Sequence, residues 1–217
     1  MSVGDLLAMN DARFLDVARG LSVGEWAAPS LCAEWSNREV LAHLVLGRSS
    51  RLAGLMAEML RTRGSFDSAN AQLASAFAAS RSDAELVDGF ARYSDGPRGI
   101  GRYFPRTLLL GDHVTHELDI CFALDLEPTV APAALVAVLN AQVQVPNPFV
   151  PAFRNSRGVR LVATDVGWVH GSGPDVVGSS AAIVSVLGDR PKALSRLTGE
   201  GVAVLAGRVS RPSRTAG

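Results

Sequence analysis

Cysteine is almost missing from this chain: Cys32 and Cys121 are the only two in 217 residues. Two are too few for a disulfide framework, and their separation is not that of a cysteine metal site. A reducing cytoplasm is the compartment to expect. Lysine is scarcer still, with Lys192 alone, so the basic charge is almost entirely arginine. Together with abundant alanine, glycine and valine, that bias suggests a GC-rich genome and says nothing of mechanism. Net charge is absent too, since 21 acidic residues balance 21 basic ones. No basic surplus marks a nucleic acid or an anionic membrane as a partner. No apolar run approaches the roughly 18 residues that span a bilayer. Asp5, Asp11, Arg13, Asp16 and Arg19 leave no signal peptide legible near the start. With 47% hydrophobic residues, the chain has material for a core of ordinary size.

Histidine is also rare, and three of the four stand where they could act together. His43 lies in the run Ser36-Asn37-Arg38-Glu39-Val40-Leu41-Ala42-His43, and the later run Asp112-His113-Val114-Thr115-His116 supplies the others. Residues four apart on a helix stack on one face, so Asp112 and His116 can grip one object together. His43 from another helix would complete a His/His/carboxylate set with a position left open, the ligand set of a catalytic zinc or similar ion rather than a closed structural one. This is the one constellation in the sequence able to do chemistry.

The first two thirds of the chain read as helices. Leu6, Phe14, Val17 and Leu21 sit at helical spacing, and the segment ends near Gly20 to Gly24. Ser36-x-x-Glu39 is a capping box that opens a second helix, with Val40, Leu44 and Gly47 on the face of His43. A third helix is expected from about Ser68 through Phe77, and Ser82-x-x-Glu85 caps a short one through Phe90. Gly96-Pro97 and Phe104-Pro105 mark a break before the long helix from about Thr107 to Leu124, and another follows Pro132 to about Val143. Pro146, Pro148 and Pro151 then read as a linker. Beyond it, residues 158–165 and Trp168 to Gly171 are paired strand candidates. Helical segments at Ser180 to Leu187 and Pro191 to Leu197, and a last apolar run to Arg208, close the chain. The fold class expected is α+β, mainly α: a helical bundle over residues 1–150 and a small α/β domain over 151–217.

At these residues the chain resembles the mycothiol-dependent maleylpyruvate isomerase family, whose amino-terminal domain is a DinB-like metal-binding four-helix bundle. The resemblance rests on Cys32-x-x-Trp35-x-x-Arg38 leading to His43, on Phe66-Asp67-x-x-Asn70, and on His116-x-x-Asp119. Towards the end, Ala163-Thr164-Asp165-x-x-Trp168, Gly171-x-Gly173 and Leu197-x-Gly199-x-Gly201-Val202 through Arg208 are similar to the family's sterol-carrier-like domain. The resemblance implies a divalent metal, usually zinc, held by His43, His116 and a carboxylate four residues before the latter. The family has glutamate there and this chain has Asp112, one methylene shorter. It also implies mycothiol as the cofactor, a thiol that ionises readily beside a cation. The thiolate would add to an electrophilic carbon of a small unsaturated acid; expulsion after rotation makes an isomerase, retention an S-transferase. Arg208 resembles the family's carboxy-terminal arginine and would pair the substrate carboxylate.

Each residue also has a plainer reading. A histidine on an apolar helix face is commonly a core residue. Asp112 could orient a histidine instead of ligating. Asp119 is either such a partner or a solvated charge, and Asn70 either bounds the cleft or caps its helix. His113 reads as a rim residue, Trp35 as a packing anchor, Cys121 as an inert buried thiol, and His170 as a strand residue. The partners expected are a small electrophile and a low-molecular-weight thiol, with no nucleic acid and no membrane. The rivals are a non-catalytic binding module on the same bundle and a metal-dependent hydrolase that needs no thiol.

Overall fold

The computed structural model describes residues 1–32, 35–49, 52–62, 66–93, 99–147 and 150–209. Gly96-Pro97 and Pro148 lie outside the described residues, as do the side chains of Phe66 and Asp67. The fold is α+β and mainly helical, in two compact units, Met1–Glu127 and Pro128–Gly217. Among the described residues no helix is long and apolar enough to cross a membrane.

The first unit is built of α1 (Val3–Gly20), α2 (Val23–Ala27), α3 (Asn37–Ser49), α4 (Leu52–Arg61), α5 (Phe66–Ala79), α6 (Asp83–Arg92) and α7 (Arg106–Ala123), with a 3-10 turn at Gly99–Tyr103. Short polar signals start these helices. Ser36 and Glu39 form the expected capping box, Ser36 N donating to Glu39 Oε2 at 2.8 Å and Glu39 N to Ser36 Oγ at 3.3 Å. Glu39 Oε1 also accepts from Ser75 Oγ at 2.6 Å, which ties α3 to α5. Burial works against the Glu39 charge, yet the Ser75 and Ser36 bonds hold its carboxyl below the usual range. The Ser82/Glu85 box is present as well, and two further boxes, Ser2/Asp5 and Ser22/Glu25, start α1 and α2. The core gathers Phe14 from α1, Leu41 and Leu44 from α3, Leu86 and Phe90 from α6 and Ile120 from α7. Phe14 and Phe90 meet edge to face at 5.4 Å, the arrangement that ring quadrupoles favour.

The second unit holds α8 (Pro132–Gln144), α9 (Ala152–Asn155), β1 (Arg160–Ala163), β2 (Trp168–Gly171), β3 (Asp175–Gly178), α10 (Ser180–Leu187) and α11 (Val202–Val209), with a 3-10 segment at Pro191–Arg196. The sequence expectation put α8 with the bundle and the boundary at 150/151; the compact units divide at 127/128 instead. The reason is where α8 buries its apolar face. Gln142 Nε2 donates to Val184 O at 3.1 Å and Trp168 Nε1 to Asn140 Oδ1 at 2.9 Å, so α8 packs on α10 and the sheet. Every residue of α10 is buried, which makes it the central helix of this unit.

The sheet runs β2-β1-β3. β1 and β2 form the expected antiparallel pair, Arg160 opposite Gly171, and β3 adds a parallel edge not foreseen from its four residues. The glycine pairs of the sequence have a steric origin here. Gly171 has φ 81° and Gly199 φ 103°, and a Cβ on either would lie under 3.0 Å from the carbonyl oxygen of Val159 or Asp175. Each backbone passes another too closely for a side chain, in a conformation that already disfavours one. Gly171→Ala and Gly199→Ala should each cost about 2 kcal/mol or more. Urea midpoints would check this, and an unchanged midpoint would contradict the close approach.

Candidate metal centre

Three side chains from two helices converge in the first unit. His43 projects from α3, while Asp112 and His116 project from one face of α7, a turn apart. His43 Nε2 lies 3.4 Å and His116 Nε2 3.5 Å from the same atom, Asp112 Oδ1. The imidazole centroids are 4.8 Å apart. One ligand atom from each of the three residues falls within 4.8 Å of the other two.

The opposite side of each ring is held by an acceptor. His43 Nδ1 donates to Asn70 Oδ1 of α5 at 3.0 Å, and His116 Nδ1 to Asp119 Oδ2 at 3.0 Å. Asp119 is fully buried and lies one turn on along α7. A neutral ring that donates through Nδ1 presents a lone pair at Nε2. Both lone pairs therefore face a carboxylate oxygen, acceptor against acceptor. Such a cluster is stabilised by a positive charge among the three atoms, and a divalent cation with nitrogen and oxygen ligands suits the donor set.

Partial burial works against the Asp112 charge, but His43 first, then His116 and His113, hold its carboxyl well below the usual range when they carry a proton, the same response that a cation among the three groups would provoke. Burial pulls His116 below the ordinary imidazole value despite the Asp119 bond and the nearby Asp112. At neutral pH that favours an ionised carboxylate and an uncharged imidazole, the forms that ligate. The side chains of His43 and His116 are 14% and 9% exposed, whereas Asp112 is 40% exposed. The cluster is closed around its histidines and open beside its carboxylate.

Trp35 walls the histidines from outside, its ring 5.2 Å from His43 and 5.8 Å from His116. The sequence assigned it only to packing; its nearness to both rings is a consequence of the fold. Asn70 and Asp119, left between two readings each, both hold a histidine of the cluster. The i,i+3 spacing to His116 was the available signal for Asp119, whereas nothing local pointed Asn70 at His43. His113, read as a rim residue, is instead buried at 2% exposure, its Nδ1 2.6 Å from Asp11 Oδ1. It faces α1 because one residue rotates a helix by about 100° away from Asp112.

Cys32 approaches the other side of His116: its sulfur, a His116 nitrogen and an Asp119 oxygen lie within 4.8 Å of one another. Cys121 is buried, and burial, reinforced by Glu117, pushes its thiol up to about 12, as suits an inert residue. His170 sits on β2 stacked at 5.8 Å on Trp168. Arg208 belongs to α11 of the second unit, where its Nη1 donates to Asn155 O at 2.7 Å and also to Arg157 O.

Comparison with known proteins bears on this arrangement. The sequence profile of the Mycothiol maleylpyruvate isomerase N-terminal domain matches residues 7–95, which include His43, Trp35 and Asn70. Residues 7–95 are similar to a mycothiol maleylpyruvate isomerase N-terminal domain. The family expected from the motifs is thus the one whose profile matches these residues. Two solved structures share the fold of the chain. A crystal structure of the mycothiol-dependent maleylpyruvate isomerase aligns with TM-score 0.55 at 14% identity, over 91% of each chain. A histidine-to-alanine mutant of a mycothiol-dependent maleylpyruvate isomerase aligns with TM-score 0.57, again at 14% identity and 91% of each chain. No curated protein sequence matches this chain.

If Asp119 orients His116 for ligation, Asp119→Ala should weaken zinc binding by about 10- to 100-fold, the usual cost of removing a partner that orients a ligand. Titration of the folded variant against a competing chelator would measure it. Unchanged affinity would reduce Asp119 to a structural hydrogen bond.

Proposed function

We propose that this protein is a divalent-metal- and mycothiol-dependent enzyme, an isomerase or S-transferase acting on a small electrophilic acid, with His43, Asp112 and His116 as the metal ligands. The observation that carries the reading is the approach of two imidazole Nε2 atoms to one carboxylate oxygen, at 3.4 and 3.5 Å, while acceptors occupy both Nδ1 sides. The N-terminal domain family and the shared fold of maleylpyruvate isomerase structures support mycothiol as the thiol. Zinc is the proposed ion, since it accepts nitrogen and carboxylate ligands and tolerates an open position.

A divalent cation bound there supplies the charge that lowers a thiol's pKa, so that thiolate is available at neutral pH. The residues of the chain do the remainder. Asn70 and Asp119 fix the tautomer and the ring orientation of the two histidines. Trp35 keeps water from the faces of those rings. Asp112 leaves the open side through which thiol and substrate approach. Its shorter side chain is the price of a direct ligand in this chain, and it makes the spacing of α3 and α7 critical. Arg208 is proposed for the substrate carboxylate, because its planar fork suits bidentate pairing and two backbone carbonyls fix its orientation.

The testing experiment is metal content by plasma mass spectrometry on untagged protein, followed by conversion of an electrophilic unsaturated acid with and without the thiol. About one zinc per chain and turnover that requires the thiol are expected. Turnover without thiol would favour a hydrolase, and metal-free protein that also refuses added zinc would leave a binding module.

A further inference from the structure

Several charged groups buried in the first unit lie beside the proposed metal centre rather than in it. Asp11 of α1 is fully buried, and its two carboxylate oxygens serve different helices. Oδ1 accepts from His113 Nδ1 of α7 at 2.6 Å, and Oδ2 pairs with Arg48 Nη2 of α3. Arg48, 1% exposed, also donates through Nη1 to Tyr93 O at 2.6 Å, with its guanidinium 5.5 Å from the Phe90 ring centroid. A buried ion pair of this kind is seldom the most stabilising filling for a core, because apolar residues of similar volume often do as well or better. What charged hydrogen bonds supply, and apolar contacts do not, is direction and distance.

The two helices so tied are the two that carry the proposed ligands. Arg48 follows His43 by five residues on α3, and His113 stands between Asp112 and His116 on α7. One carboxylate from α1 therefore bridges the pair of helices whose separation sets the 3.4 Å contact of His43 with Asp112. An aspartate has one methylene, so it cannot stretch to follow a helix that shifts.

We propose that Asp11 is a positioning residue of the metal centre: through Arg48 and His113 it fixes the spacing of α3 and α7 so that the short Asp112 side chain reaches the cation held by both histidines. The inference rests on the metal reading above and deepens it. Displacements well under the length of a bond then matter for affinity, although Asp11 touches no ligand atom.

The test is zinc affinity, by competition with a chromophoric chelator, on untagged variants whose fold is verified by circular dichroism. His113→Leu removes the donor to Asp11 and should weaken zinc binding about 10-fold or more. His113→Asn keeps a donor where Nδ1 stands and should stay within about 3-fold of the parent, a rescue that a merely structural role does not predict. Adding Asp112→Glu to His113→Leu should recover affinity, because the longer side chain spans the altered gap. If His113→Leu does not fold, Asp11→Asn, which keeps the shape but opposes a donor to Arg48, takes its place with the same expected loss. A folded His113→Leu or Asp11→Asn that binds zinc like the parent would overturn the positioning role while leaving the metal reading intact. A parent protein that binds no zinc would overturn both.

Discussion

Replacing His43 or His116 with alanine is expected to abolish stoichiometric zinc binding while leaving the fold in place. The magnitude follows from the geometry. Each imidazole is one of three donors within 4.8 Å of one another, and its loss leaves two. Removing a residue that only orients a ligand costs about 10- to 100-fold, so removing the ligand itself should cost at least about 100-fold. Neither histidine is a major filler of the apolar core, which is built from Phe14, Leu41, Leu44, Leu86 and Phe90. The variants should therefore keep their helical spectra, and thiol-dependent conversion of the electrophile should fall with metal content. Retention of one zinc per chain in either folded variant would place the ion elsewhere and remove the reason for assigning chemistry to this cluster.

Arg48→Ala is expected to produce a large loss of stability in the first unit. Its side chain is 1% exposed and that of its partner Asp11 is fully buried, so solvent screens the pair very little. Breaking a buried pair by removing one member costs about 3–5 kcal/mol, because the remaining charge stays buried with fewer partners. The Tyr93 carbonyl would lose its donor as well. For a chain of this size the melting temperature should fall by about 6–20 °C, taking roughly 2–4 °C per kcal/mol. The double variant Arg48→Met with Asp11→Leu should recover much of that loss, since it removes both charges at once. Thermal melts of the three proteins would decide. A loss under about 1 kcal/mol for Arg48→Ala would show that desolvation already offsets the pair in the native state.

These two predictions divide along the line between what was legible in the sequence and what was not. The convergence of His43, Asp112 and His116 could be read because a helix has a fixed period. Asp112 and His116 must share a face, and Ser36-x-x-Glu39 started the helix that carries His43 in the right phase. The capping boxes, the paired strands β1 and β2, and α10 were legible for the same reason: each is specified by residues a few positions apart. The parallel strand β3 was not, since four residues between glycines carry no periodicity and their pairing partner β1 is distant in sequence. The allegiance of α8 escaped too, because an apolar helix face does not say which neighbour will cover it.

The sequence by itself determined the local elements, the family likeness of the first domain and the three candidate ligands, because these depend on short-range spacing and residue chemistry. Only the tertiary structure decided how those ligands are held. Asn70 meets His43 across 27 residues and Asp11 meets His113 across 102. Such bonds are set by how helices pack, and a buried polar group takes whichever partner that packing brings within reach.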